Sequence, residues 1–225
     1  APDALLAMPT DAKLDLLAKL RAGRGRLEPD EQALQRKLYD ALQPSPEFLA
    51  LEARRQQELA ARIREDDELM GARDAWAGLS MEDRMALLQR TVTMECEIYG
   101  MPVARVEFFE QAMPGPSGYF SREAQAMFIN THPSVEMDDF AMMLDTVVHE
   151  NVHNYQAELV RRLEDGLLEP GDPEYDQARI FQANWARGGY VDAEQADHAA
   201  YRTQPLEAEA WSAGTTVPLL VQPPP

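Results

Sequence analysis

Between Pro133 and Gly166 the chain contains neither proline nor glycine. A stretch that long without a breaker predicts one helix within residues 135–165, ended by Gly166. Met142, Met143, Thr146, Val147, Val148, Val152 and Leu159 recur at helical spacing and give it an apolar face. In its middle stands His149-Glu150-Asn151-Val152-His153. Two histidines four apart on a helix point the same way, one turn apart. Two imidazoles at that separation can hold a single zinc ion at about 2.0–2.1 Å each. Glu150, one residue beyond the first histidine, is placed to take a proton from water.

Composition bounds what such a helix can belong to. With 225 residues, 45% of them apolar, the chain can bury a sizeable core as one or two domains. It has no apolar run long enough for a membrane span, and no basic segment ahead of an apolar core as a Sec-type signal has. The net charge of −18 argues against nucleic acid and anionic membranes as partners. A lone cysteine, Cys96, excludes an internal disulfide framework and suits a reducing compartment such as the bacterial cytoplasm. It falls in an apolar-periodic helix and reads as a core residue.

Residues 1–43 read as two short helices separated by the glycine-containing run Arg21–Arg26, and Pro44-Ser45-Pro46 ends the second. Residues 47–70 read as one charged connector helix, followed by a short piece between Gly71 and Gly78. Ser80 is an N-cap for a helix that ends at Gly100-Met101-Pro102. After Pro102 the period becomes two, which predicts strands at Val103–Phe109, Tyr119–Ser121 and Gln125–Asn130. Downstream, Tyr175–Ala186 and Ala193–Tyr201 read as helices. Pro205 opens another that Gly214 ends, leaving an extended proline-rich tail. The expected architecture is α+β: a small antiparallel or mixed sheet packed on the histidine helix, with a mainly helical N-terminal region over 1–71 and the remainder in 72–225.

A catalytic zinc site takes three protein ligands and keeps a fourth position open. The third-ligand candidates downstream are Glu194, Asp197, His198, Glu207 and Glu209, while His132 reads as a loop residue. Four segments together carry a resemblance. They are Leu79-Ser80 with Arg84, Gly118-Tyr119 with Ile129-Asn130, His149-Glu150-x-x-His153-x-x-Gln156, and Tyr201-x-x-Gln204-Pro205-x-Glu207-x-x-Ala210. Over about residues 72–214 the chain resembles the zincin-like metallopeptidase domains of bacterial secreted toxins and effectors. The resemblance implies a zincin-like fold, one Zn2+ per chain on His149, His153 and Glu207, and Met127–Thr131 lining a cleft as the strand to which an extended peptide adds. It further implies a protein or peptide substrate, export or delivery into a target cell, and a cognate inhibitor or immunity protein. His198 remains the rival third ligand.

The chemistry expected of this set is amide hydrolysis. Glu150 acts as general base and later as acid. Tyr201, or else Tyr190, supplies the hydrogen bond to the developing oxyanion, and Gln156 orients a ligand from behind. Two other readings use the same residues: a helical protein-binding module with a structural or vestigial zinc site, and a zinc hydrolase of a non-peptide bond.

Overall fold

A computed structural model describes residues 2–23, 27–112, 115–135, 138–192 and 198–222. In chain order its elements are α1 (Pro2–Leu6), α2 (Thr10–Arg21), α3 (Pro29–Ala41), α4 (Pro46–Glu65), α5 (Asp67–Ala75), α6 (Met81–Tyr99), β1 (Arg105–Phe109), β2 (Gly118–Ser121) and β3 (Ala126–Asn130), then α7 (Phe140–Glu164), α8 (Tyr175–Trp185), α9 (His198–Thr203) and α10 (Pro205–Val221). The molecule is α+β and mainly helical, with one small mixed sheet. It divides into two compact units, residues 1–51 with 159–209 and residues 52–158 with 210–225. The helical first 71 residues are therefore shared between both units. Gly71 lies inside α5 and marks no break.

The first unit is helical. Leu17 of α2, Leu38, Tyr39 and Leu42 of α3 and its end, and Ile180 of α8 form its core, with Leu34 and Val191 packed against it. The buried Lys13 ammonium donates to the Ala41 carbonyl at 2.7 Å, which satisfies a carbonyl at the end of α3. Asn184 of α8, fully buried, gathers a polar cluster that is described with the site.

The second unit packs the sheet on α7. Strand order is β1-β3-β2, with β3 parallel to β1 and antiparallel to β2. The central strand is the most buried: Ala126, Met127, Ile129 and Asn130 are all inaccessible. This corrects the placement of Met127–Thr131 as an edge that a peptide could join. Both sides of β3 are already paired, and among the described strands the edges are β1 and β2. Gln125, at the β2–β3 turn, donates to the Asn154 side chain of α7 at 2.7 Å.

Helix α7 spans most of the predicted range. It starts at Phe140 because the Asp139 carboxylate accepts from the Ala141 and Met142 amides, at 2.7 and 3.1 Å. It ends at Gly166, where φ is +68° and the Leu167 amide reaches back to the Arg162 carbonyl at 2.8 Å. The expected single helix over 47–70 is two. Asp66 breaks it by capping α5 through the Glu68 and Leu69 amides. The expected stop at Gly214 does not occur: α10 continues to Val221 through both Gly214 and Pro218. Ala210, Ala213, Val217 and Val221 are buried along it, and that burial outweighs the helix-breaking preference of the two residues. Of the helix expected at Ala193–Tyr201, α9 forms from His198, and residues 193–197 lie outside the described residues. Arg24–Arg26 of the expected loop and the tail at 223–225 also lie outside them.

Candidate metal centre

His149 and His153 project from adjacent turns of α7 with ring centroids 5.1 Å apart and ring planes at 83°. Asn151 and Val152, between the two histidines, are both buried, and Asn151 lies on the opposite side of the helix. His153 Nδ1 lies 2.8 Å from Gln156 Oε1. An amide oxygen only accepts, so Nδ1 carries the proton and Nε2 presents its lone pair. That is the tautomer a metal ligand needs, with a buried side chain three residues on holding it.

Helix α10 meets His149 with its Trp211 ring, at 4.9 Å between centroids and 75° between planes. One turn further, Gly214 lets the backbones approach. A Cβ there would run into the Asp145 carboxylate, stand 3.0 Å from the Asp145 carbonyl oxygen and 3.2 Å from His149 Cβ. Glu207 precedes Trp211 by four residues and Gly214 by seven, so all three share one face of α10. The ligating atoms of His149, His153 and Glu207 lie within 4.8 Å of one another. Two imidazoles and a carboxylate are a donor set that zinc takes, and three protein ligands are the number a catalytic site uses. The residues thus fit the metal that the sequence pattern implies.

Glu207 is held from behind. Tyr190 Oη donates to Glu207 Oε1 at 2.7 Å. Burial, then the negative Glu207, then Tyr201 push the Tyr190 phenol far above its ordinary pKa, so it stays a donor. Tyr201 meets Tyr190 edge-on, with ring centroids 6.3 Å apart. His198 is exposed on α9, 6.5 Å from the Tyr201 ring, and is outside the triad. Glu209 is also outside it, and Glu194 and Asp197 lie outside the described residues. His132 is a loop residue, its Nδ1 2.8 Å from Ser134 Oγ.

The base candidate Glu150 is buried on α7 beneath β2. A Cβ on Gly118 would stand 3.2 Å from Glu150 Cγ and 3.1 Å from Thr146 Cγ2, so glycine lets the strand lie this close without either side chain shifting. On the far side of α7, Asn151 donates to Glu95 at 2.9 Å. Burial, and then the nearby Glu52, raise the Glu95 pKa to about 8. Burial likewise raises Cys96 to about 11, which keeps it a thiol and fits a packing role.

Trp211, Gly214 and Gly118 did not stand out as site residues in the sequence, although a signal existed. Glu207, Ala210, Trp211 and Gly214 fall at i, i+3, i+4 and i+7, which is one helix face. Gly214 also yields a testable consequence. Alanine there gains about 1 kcal/mol of helix propensity but overpacks a helix contact, at about 1–3 kcal/mol. The contact wins, because a backbone carbonyl and a Cβ cannot swing aside. Gly214→Ala should lose up to about 2 kcal/mol in denaturant unfolding of the metal-free protein and bind zinc more weakly.

Comparison with family models, curated proteins and solved structures returns no match.

Proposed function

We propose that the chain is a zinc-dependent hydrolase that cleaves peptide bonds. The observation that carries this reading is the convergence of His149, His153 and Glu207, which come from two helices far apart in sequence. A zinc ion held there supplies Lewis-acid chemistry, acidifying water and polarising a carbonyl. The chain's own residues divide the rest of the work. Glu150 takes the proton from the attacking water and delivers it to the leaving amine. Gln156 fixes the His153 tautomer, and Tyr190 fixes one oxygen of Glu207. Among the described residues three ligating side chains converge, the number of protein ligands a catalytic zinc site uses.

A peptide substrate is supported by β2. It is an edge strand lying on Glu150 through Gly118, and an extended chain can pair with such an edge. The net charge of −18 favours basic segments in that peptide. The resemblance to toxin and effector domains adds delivery to a target cell and a small inhibitory partner to the proposal. No helix among the described residues is long and apolar enough to cross a membrane.

Elemental analysis of metal-replete protein is expected to give one zinc per chain. Cleavage of a mixed peptide library should stop on chelation and return with zinc. Protein that is folded, active on peptides and free of transition metal would defeat the proposal.

A further inference from the structure

We propose that Asn184, together with Gln204 and Tyr39, is a positioning device that sets Glu207 and Tyr190 for metal binding. The proposal rests on the zinc reading above. Asn184 is fully buried and lies at the end of α8. Its Nδ2 donates to Gln204 Oε1 at 3.0 Å, to the Gly189 carbonyl at 3.2 Å and to Tyr39 Oη at 3.2 Å. Its Oδ1 accepts from the Leu206 amide at 3.0 Å, in the first turn of α10 and one residue before Glu207. One side chain thus fixes where α10 begins.

The loop that carries Tyr190 is pinned on both sides of that residue. Before it, the Gly189 carbonyl accepts from Tyr39 Oη at 2.7 Å and from Gln35 Nε2 at 3.3 Å. After it, Gln204 binds Val191 twice, accepting from its amide at 2.9 Å and donating to its carbonyl at 2.8 Å. Tyr190 stands between these anchors and donates to Glu207. Gly189 itself is packed so closely that a Cβ would collide with the carbonyls of Ala183, Asn184 and Ala186. Arg21 completes the cluster, donating to the Ala183 carbonyl, to Gln35 and to Tyr39. Its charge helps hold the buried Tyr39 phenol in place, while burial raises that phenol to a pKa of about 12. Helices α2 and α3 therefore belong to the metal site's machinery and are not a detachable leader.

Groups that orient a metal ligand typically change metal affinity by about 10–100-fold when removed. The test measures zinc dissociation constants by competition with a chromogenic chelator, using the full chain. It also records the visible spectrum of the cobalt(II)-substituted protein and the melting temperature in chelator. Asn184→Ala is expected to weaken zinc binding about 10–100-fold and to shift the cobalt spectrum. Tyr39→Phe, which keeps the ring and the core contact, is expected to weaken it several-fold. Tyr190→Phe combined with Tyr39→Phe should lose less than the product of the two single effects, because both act through one loop.

If Asn184→Ala does not fold, Tyr39→Phe and the double variant decide. Variants that melt lower but keep the wild-type zinc constant within twofold, with an unchanged cobalt spectrum, overturn the positioning role and leave the zinc reading standing. A wild-type chain that binds no zinc overturns both.

Discussion

Glu150→Gln is expected to retain one zinc per chain and to lose about 10²–10⁴ in hydrolytic rate, the usual worth of a general acid–base group. Glu150 is outside the triad of ligating atoms, so its substitution leaves the metal's donors in place. It is buried beneath β2, with its Cγ close to the position a Gly118 side chain would take. Glutamine has nearly the same shape and preserves that packing, but an amide cannot accept the proton. Zinc content and kcat/KM should be measured on the same preparation. Full turnover with a full complement of zinc would remove Glu150 from the mechanism.

Glu207→Ala is expected to release zinc, or to weaken it beyond the roughly 10–100-fold that an outer partner is worth. His198→Ala should leave metal content unchanged. Glu207 is 1% exposed and receives the Tyr190 hydroxyl, whereas His198 is exposed beside Tyr201 on a short helix. The two substitutions separate a two-histidine, one-carboxylate site from a three-histidine site. Zinc retained in the first variant and lost in the second would reverse the ligand assignment. The Trp211 ring against His149 offers a second readout, since metal binding beside it should change indole fluorescence in the wild type.

The histidine helix and the shared face of His149 and His153 were legible because breaker-free length, apolar period and the four-residue histidine spacing all concern one local segment. Glu207 entered as a candidate through the family resemblance, with Pro205 two residues before it opening its helix. The interior strand β3 was read as an edge because local period identifies a strand but not its neighbours; which strands pair is a non-local property. The course of α10 past Gly214 was missed for a related reason. Glycine and proline are local stop signals, and the burial of Val217 and Val221 that overrides them comes from tertiary packing. The contact of Tyr190 with Glu207 was not legible, because nothing local shows that Asn184 and Gln204 pin Gly189 and Val191 on either side of it. The same holds for Arg21 and Tyr39, more than 140 residues from the Ala183 and Gly189 carbonyls that they bind.

The compact unit that holds Glu207 is discontinuous: residues 1–51 and 159–209 close on each other around an inserted 52–158. During synthesis, Leu17 and Leu38 leave the ribosome long before Ile180, their core neighbour, exists. The entropy of closing an intervening chain of that length is about 4 kcal/mol on the logarithmic loop law. A pre-folded insert shortens the effective loop and removes much of that cost. Vectorial folding therefore favours forming the sheet and the α7 histidine face first, then docking the N-terminal helices last, as their C-terminal partners emerge. Glu207 and the Tyr190 loop belong to that late-closing unit, so nascent chains carry the His149-Glu150-x-x-His153 helix well before Glu207 has its hydrogen-bond partner.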